Sequence, residues 1–304
     1  MDLTYTGVTK FYGPVIGVND VTFAVVPGIT GLFGANGAGK STLIKLASGQ
    51  LRPSLGRVAI GEHSTWSTAA KRQFGYCPDL DRFYEDMTGR RFVHTMARLS
   101  GYSRFEADER TDACLEIVGM TDRASRKLAG CSHGMRQRIK LAQALVHDPP
   151  VLLLDEPMTG IDPVGRRDLS RVLEQLAASG KTILVSSHIL GEVETLADRI
   201  VMIARGRMIA QGTLAEMRDW ISEPLTVALE TVDARSLAAK LIESGDVTSV
   251  EVTDQRLVVR THDASLLFPL VADAVLSAGA DVRRMEVLDA GAEAVFSYLD
   301  RQSP

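Results

Sequence analysis

The sequence predicts an α/β fold built around a phosphate-binding loop, followed by a small α+β domain in the C-terminal part of the chain. A short apolar strand ending at Phe33 leads into a glycine-rich loop, and a helical apolar pattern follows. Two further runs, 151–154 and 182–187, are typical of central parallel strands that are covered on both faces. After Glu223-Pro224 the chain changes to short alternating strands and helices.

The glycine-rich loop, Gly34 to Thr42, fits the motif G-x-x-x-x-G-K-[ST], which is the phosphate-binding P-loop. Its glycines allow a tight turn whose backbone N–H groups bind phosphate oxygens, and a helix starting at Ser41 adds free N–H groups and the positive end of its dipole. We expect Lys40 to reach the β- and γ-phosphates and the Ser41 hydroxyl to bind Mg²⁺. The predicted nucleotide-binding residues of the loop are Gly34, Asn36, Gly37, Ala38, Gly39, Lys40, Ser41 and Thr42.

Length and composition favour a soluble protein of roughly two domains, because the 304 residues are 45% hydrophobic and 24% charged. The net charge of −4 argues against nucleic acid as the main partner. The three cysteines lack zinc or disulfide spacing, which favours a reducing cytosol. The N-terminus lacks the pattern of a secretion signal, and no run approaches the ~18 apolar residues of a membrane span. We therefore expect any work at a membrane to go through a partner.

The first 222 residues are predicted to form one domain of mixed β-structure with a helical insert at about 86–146. Strands joined by turns are predicted before the P-loop. The insert is predicted to begin at a helix capped by Thr88, with an apolar face of Phe92, Val93, Met96, Ala97 and Leu99. Tyr12, just ahead of the P-loop strand, is either an aromatic that stacks on adenine or one that packs a strand.

Residues 223–304 are predicted to form a second domain with the order strand, helix, strand, strand, helix, strand and a final helix near 292–299. This order suggests a split βαβ arrangement. No residues there have catalytic spacing, so we interpret it as an accessory or dimerisation domain.

Carboxylates and a histidine follow the predicted central strands. Asp155 and Glu156 close one of these strands, where an acid can hold Mg²⁺ opposite Ser41 and a second carboxylate can act as general base. His188 ends the neighbouring strand. Strand ends at one edge of such a sheet converge on the ligand crevice, so we expect Lys40 to meet these residues there.

These motifs and two more occur in a specific order. Gly34 to Thr42 is Walker A, Cys131-Ser132-His133-Gly134-Met135 a signature, Val151 to Glu156 Walker B, Met158 to Asp162 a D-loop, and His188 a switch histidine. Over about residues 1–220 the chain therefore resembles the nucleotide-binding subunit of an ABC (ATP-binding cassette) transporter.

The resemblance implies an ATPase that works with Mg²⁺ as a head-to-tail homodimer with ATP at each interface site. Ser132 and Gly134 of one copy would contact the γ-phosphate held by the other. Glu156 would be the catalytic base and His188 would position the water. Tyr12 matches the aromatic residue that stacks on adenine.

Two sites depart from the family's pattern. The usual signature is Leu-Ser-Gly-Gly-Gln, whereas this chain has Cys131, His133 and Met135 at three of those positions. The family usually carries a glutamine at Asp79, which touches Mg²⁺ and water and couples to the permease. The carboxylate of Asp79 is therefore a candidate Mg²⁺ ligand, beside Ser41 and Asp155.

The tail after Trp220 is similar in layout to the C-terminal extensions of ABC-2-type exporter ATPases. It implies two copies of this chain on two permease subunits, peripheral on the cytoplasmic face of the membrane. Alternatives are a soluble ABC ATPase of translation or DNA repair, and a regulatory module that holds ATP without hydrolysing it. A basic cluster could suggest nucleic acid, but a solvated face is the favoured interpretation. Its residues are Arg123, Arg126, Lys127, Arg136, Arg138 and Lys140.

Overall fold

The computed structural model describes residues 1–219, 225–243, 247–261, 264–278, 281–288 and 296. The chain divides into two compact units, Met1–Thr213 and Leu214–Pro304. The boundary expected after residue 222 lies outside the described residues, as does most of the helix predicted near 292–299. Within the described part of the chain, the structure contains no helix with the length and apolar character to cross a membrane.

The first unit combines groups of strands with a block of helices, as the sequence patterns predict. Its strands are β1 (Leu3–Tyr12), β2 (Val15–Val25), β3 (Gly28–Phe33), β4 (Leu55–Ile60), β5 (His63–Ser64), β6 (Phe74–Cys77), β7 (Val151–Leu154), β8 (Thr182–Ser187), β9 (Arg199–Ala204) and β10 (Arg207–Gly212). Its helices are α1 (Lys40–Ala47), α2 (Thr68–Lys71), α3 (Gly89–Leu99), α4 (Arg104–Ile117), α5 (His133–Leu145), α6 (Pro163–Ala178) and α7 (Leu190–Leu196). The short strand β5 and the short helices α2 and α7 were not predicted.

Two sheets form the frame of this unit. An antiparallel sheet has the order β2-β1-β4-β5, and a second sheet has the order β10-β9-β3-β8-β7-β6. The second sheet is parallel apart from β10. The predicted mixed β core is therefore present.

The central strand β7 is buried on both faces, as its unbroken apolar sequence predicts. Val151 and Leu153 belong to a core shared with α1 and the antiparallel sheet. Leu152 and Leu154 belong to a separate core shared with helices α3 to α6. All four side chains are fully buried, and each contributes about 1.5–3 kcal/mol of hydrophobic stabilisation.

The helical insert follows its predicted signals, with one exception. The Thr88 side chain accepts a hydrogen bond from the Arg91 N–H and so caps α3. Phe92, Val93 and Ala97 are buried, but Leu99 is 76% exposed. The prediction for Leu99 is therefore wrong, because it is the last residue of α3 and lies beyond the helix's packed face.

The second unit has the predicted order of elements. After α8 (Leu214–Asp219) come β11 (Leu225–Thr231), α9 (Ala234–Glu243), β12 (Ser249–Thr253), β13 (Arg256–Thr261), α10 (Ala264–Ala278) and β14 (Val282–Val287). The strands form one antiparallel sheet, β12-β13-β11-β14, the split βαβ arrangement. Its core joins apolar residues of α9, α10 and the sheet, among them Leu229, Leu237 and Val259.

Close packing of β6 against α5 gives a stability prediction. A Cβ atom on Gly75 would overlap the backbone oxygen of Ala144. Gly75→Ala should therefore lower the free energy of unfolding by about 1–3 kcal/mol, because backbone must move to admit the methyl group. Urea denaturation measures this change. The matched control is Gly191→Ala in α7, where a Cβ would meet nothing within 4 Å. Equal effects of the two substitutions would contradict the prediction.

Candidate active site

A cleft of about 520 Å³ lies at the carboxyl ends of the parallel strands. This is the edge where ligands bind in open α/β sheets. It brings together loop residues that follow β3, β6, β7 and β8, which are far apart in sequence. The lining residues are Val15, Ile16, Gly17, Asn36, Gly37, Gly39, Lys40, Ser41, Thr42, Asp79, Glu156, Thr159, His188, Arg205 and Gly206.

P-loop residues line the cleft, and the backbone of the loop fixes the position of the Lys40 side chain. The Lys40 amine donates to the backbone oxygens of Gly34, at 2.7 Å, and Ala35, at 3.3 Å. It also lies 3.5 Å from the Glu156 carboxylate. Gly39 caps α1 with φ +114°, and a Cβ there would press against the Gly17 oxygen at 2.9 Å. Only glycine fits that position, so the motif's glycine is required by geometry.

Asp155 is a buried carboxylate held by two hydroxyl groups. Its Oδ1 accepts from Ser186 Oγ at 2.8 Å and from Ser41 Oγ at 3.3 Å. Burial raises the pKa of Asp155, the hydroxyl bonds oppose that rise, and the negative charges of Asp79 and Glu156 add to it. A cation at Asp155 would therefore relieve unfavourable desolvation and like-charge repulsion.

Glu156 is the most constrained group in the cleft. Its Oε2 lies 2.8 Å from His188 Nδ1 and accepts from Thr159 Oγ1 at 3.3 Å. Its backbone has φ +50°, an uncommon left-handed conformation for a residue with a side chain. The amide N of Glu156 donates to Ser186 Oγ at 2.9 Å, which anchors the residue in this conformation.

The oxygen ligands in the cleft fit Mg²⁺. Mg²⁺ is usually held by one or two carboxylates together with waters and phosphate oxygens. Ser41 and Asp155 already lie within hydrogen-bond distance of each other, and Asp79 lines the same cleft. Among the described residues there is no cluster of three His, Cys, Asp or Glu side chains that would hold a metal unaided. Phosphate oxygens would complete the coordination.

Tyr12 lies at the edge of the nucleotide cleft. Its hydroxyl is 3.4 Å from Thr42 Oγ1, and its ring covers Gly17, where a Cβ would approach the ring to 2.6 Å. The ring is 43% exposed. Tyr12 is therefore not a buried strand-packing residue, but it is not among the residues that line the cleft, and the Lys10 amine lies over its ring, 5.6 Å from the centroid.

The signature residues lie at the start of α5. Ser132 caps the helix by accepting from the Met135 N–H. Of the residues that the structure describes, those lining the cleft do not include Ser132 or Gly134. His133 contacts the D-loop, with Nε2 2.7 Å from the Thr159 oxygen.

The sequence did not predict the role of Ser186, the hydrogen bond from Thr159 to Glu156, or the contact of the Arg205-Gly206 turn with the P-loop. Thr159 was predicted only as part of the D-loop, and Arg205-Gly206 only as a hairpin turn. Ser186 is one of three buried hydroxyl residues in β8, with Thr182 and Ser187, so a hydroxyl in that strand does not single it out. The turn supports the P-loop, since Gly206 N donates to Ala38 O at 2.9 Å. That contact joins distant segments and has no local sequence signal.

Three of the six residues of the basic cluster around α5 form ion pairs within the described chain. Arg136 makes two hydrogen bonds to Glu85, at 2.9 and 2.7 Å, and Arg138 pairs with Asp168 at 3.1 Å. Lys140 is buried and pairs with Asp81 at 2.9 Å. The prediction that Lys140 lies on a solvated face is therefore wrong. Its buried amine donates to the backbone oxygens of Pro78 and Asp79, in the turn after β6.

The hydroxyl of Ser186 gives a pH-dependent prediction. The pKa of Asp155 is raised in the folded state, so titration of this carboxyl affects stability. Its contribution is fully present below the ordinary carboxyl pKa and is lost as pH rises through the raised folded-state pKa. Ser186→Ala raises that pKa further. The variant should lose about 1–3 kcal/mol of unfolding free energy near pH 7 and less under acidic conditions. Urea denaturation across pH measures both.

The control for this prediction is Ser179→Ala, which removes an exposed hydroxyl that donates to the Leu176 oxygen. It should show a smaller loss that does not change with pH. A pH-independent loss in Ser186→Ala would contradict the proposed support of the ionised Asp155.

Comparison with known proteins agrees with this geometry. A sequence profile of the family described as ABC transporter matches residues 18–159. The linearmycin resistance ATP-binding protein LnrL of Bacillus subtilis is 32% identical over 274 residues, covering 88% of both chains. A Nod factor export ATP-binding protein I of Burkholderia orbicola is 38% identical over 213 residues, covering 69% of this chain and 70% of the relative.

Solved structures show the same architecture. An ATP-binding subunit of an ABC transporter superposes with a TM-score of 0.66 at 32% identity, covering 72% of this chain and 92% of that chain. In sequence, this chain spans only part of two further relatives. It covers 56% of an ABC transporter ATP-binding protein from Synechocystis and 62% of one from Nostoc. From its site geometry and these relatives, the chain belongs to the family of ABC transporter ATP-binding proteins.

Proposed function

We propose that this chain binds and hydrolyses ATP as one of two copies in a transporter and drives a separate membrane permease. The observation that carries the proposal is the position of Glu156. Its carboxylate lies between Lys40, Thr159 and His188, beside the Ser41–Asp155 pair. A general base, a phosphate-binding lysine and a magnesium site therefore share one cleft.

The P-loop N–H groups and Lys40 would bind the β- and γ-phosphates of ATP. Ser41 and Asp155 would hold Mg²⁺, with Asp79, which lines the same cleft, as a further candidate ligand of the ion or its water. Mg²⁺ would neutralise the charge that develops on the phosphates. Tyr12 would stack on the adenine once the Lys10 side chain moves off its ring.

Glu156 would take the proton from the attacking water. A carboxylate accepts hydrogen bonds, so His188 Nδ1 donates to Glu156 Oε2. Nε2 is then the nitrogen that faces a γ-phosphate oxygen, and it donates only when the ring is cationic. In that state His188 holds both the base and the phosphate, which aligns the water between them.

The second copy would complete each site. Ser132 and Gly134 lie at the N-terminus of α5, where a hydroxyl and free N–H groups suit an anion. They do not line the cleft of their own subunit in the described structure. A head-to-tail partner would bring its bound γ-phosphate to them, so that ATP closes the dimer and hydrolysis reopens it.

A groove of about 430 Å³ near β6 supports docking of a permease. Exposed apolar side chains lie around it, among them Tyr84 at 65% and Leu99 at 76% exposure. Lys140, at its base, donates to the backbone oxygens of Pro78 and Asp79 at 2.8 and 2.9 Å. A permease segment docked there would contact Lys140, which holds the backbone at Asp79, and the Asp79 side chain lines the nucleotide cleft. Docking at the groove would thus be connected to the cleft through Asp79.

Export is the proposed direction of transport. One relative is a Nod factor export protein and another a linearmycin resistance protein, and the latter match covers most of both chains. The chain would then work on the cytoplasmic face of the membrane, held there by its permease. We assign the second unit an accessory or dimerisation role, and the proposed partners include no nucleic acid.

Glu156→Gln tests the catalytic assignment. It removes the base but keeps a side chain of the same size, so ATP binding should persist while hydrolysis falls at least about 100-fold. With ATP and Mg²⁺ the variant should accumulate as a dimer in size-exclusion chromatography. Phosphate release measures turnover. Glu174→Gln, on the exposed face of α6, is the matched control and should behave as wild type.

Wild-type turnover by Glu156→Gln would overturn the role of Glu156. A variant that binds ATP but stays monomeric would overturn the proposed dimer for the isolated chain. Wild-type protein that binds ATP without hydrolysing it would favour the regulatory module.

A pull-down tests the permease. Tagged Glu156→Gln chain, captured from detergent-solubilised cells with ATP and Mg²⁺, should retain a polytopic membrane protein at equal stoichiometry. Adding Leu99→Glu should reduce that recovery at least about tenfold, because a charge enters an apolar contact. Phe105→Glu, at an equally exposed apolar residue of α4 outside the groove, is the matched control. Capture of ribosomes or DNA would support the soluble alternatives.

A further inference from the structure

The first turn of α5 is bonded to the D-loop, residues 158–162, through His133. A carbonyl oxygen only accepts hydrogen bonds, so Nε2 carries the hydrogen and donates to the Thr159 oxygen at 2.7 Å. The adjacent Gly160 has φ +72°, and a Cβ there would lie 2.9 Å from His133 Cδ2. The D-loop therefore has room for the ring only because this position is glycine.

Gln137, one turn further along α5, contacts the same ring nitrogen of His133. It is 2% exposed, and its Nε2 lies 3.2 Å from His133 Nε2. Two donors face each other in that arrangement, while Gln137 Oε1 is one of two buried side-chain atoms in the described chain without a hydrogen bond. With the amide turned over, Oε1 accepts from the same Nε2–H and the buried oxygen gains its partner. The geometry then holds the ring on Thr159.

Thr159 continues the connection into the catalytic cleft. Its Oγ1 donates to Glu156 Oε2 at 3.3 Å, and its amide N donates to the Glu156 backbone oxygen at 3.3 Å. His188 Nδ1 lies 2.8 Å from the same Oε2. A continuous set of polar contacts thus runs from the first turn of the signature helix to the base and the switch histidine.

We propose that His133 is a positioning residue that couples the two ATP sites of the dimer. The inference rests on the proposed function, in which Ser132 and Gly134 of one copy bind the ATP held by the other. Movement of the first turn of α5 onto that phosphate shifts the Thr159 carbonyl through His133, and Thr159 carries the shift to Glu156. Each copy's base is thereby placed according to whether the partner's ATP is bound.

Such coupling must be reciprocal for binding, so ATP at either site raises the affinity of the other by one common factor. His133 is exposed, so truncating it leaves no cavity in the core. Its removal should act on communication between the sites and leave the fold intact.

The test compares ATP hydrolysis against ATP concentration in the full-length chain. Wild type should show a Hill coefficient above 1. His133→Ala should bring that coefficient to 1 and raise the half-saturating ATP concentration about fivefold or more, with a smaller change in kcat. His133→Gln keeps an N–H donor and should restore part of the cooperativity. The matched control is His94→Ala, a histidine of α3 beside Asp108, which should match wild type.

Thr159→Val provides a second way to break the connection, useful if His133→Ala fails to fold. It keeps the backbone oxygen that His133 contacts but removes the hydroxyl bond to Glu156, so the same loss of cooperativity is expected. The double variant should be no worse than the single variants, because both remove one connection.

Each outcome decides a different question. Unchanged cooperativity in the His133→Ala and Thr159→Val variants, or a wild-type Hill coefficient of 1, overturns the coupling and leaves the ATPase assignment standing. A wild-type chain that does not hydrolyse ATP overturns the proposed function itself.

Discussion

The in-register pairing of the parallel strands is the constraint on which the whole site depends. Leu154 pairs with Val185, so the next residues along, Asp155 and Ser186, emerge side by side and form their hydrogen bond. Phe33 pairs with Ser187, so the P-loop starts opposite His188. A slip of one residue would turn these side chains to the other face. The apolar cores on both faces of β7 prevent that slip, which ties the catalytic geometry directly to hydrophobic packing.

The resulting cleft concentrates negative charge beside the buried amine of Lys40. Asp79, Asp155 and Glu156 lie near one another, and burial and mutual repulsion already raise the pKa of Asp155. The glutamine usual in the family at Asp79 would add no charge, so this chain has a stronger demand for a cation in the cleft. The buried amine of Lys140 bonds the Asp79 backbone oxygen, while its charge is balanced by Asp81. The groove and the cleft therefore meet at residues 78–79, since Pro78 lines the groove and Asp79 lines the cleft.

The sequence determines the parts of this site that depend on local pattern. The P-loop, the buried strand β7 and the Thr88 cap are specified by residues within a few positions of each other, and the structure agrees with each. The bonds of Ser186 and the contact of the Arg205-Gly206 turn with the P-loop could not be predicted in the same way, because they form only when distant strands pair. The wrong predictions for Leu99 and Lys140 have the same origin. Sequence periodicity assigns a residue to one face of a helix, but packing against distant residues decides whether its side chain is buried.

The histidine in the signature shows how one departure from a family pattern can be accommodated within a subunit. Glycine at this position leaves the helix start bare, whereas an imidazole projecting towards a partner would obstruct the approach of a phosphate. Here the ring instead turns onto the Thr159 oxygen, into space left by Gly160. The Ser132 hydroxyl caps α5 by accepting from the Met135 N–H. The side chain that replaces glycine thus adds a contact inside the subunit, because the D-loop supplies both the acceptor and the room.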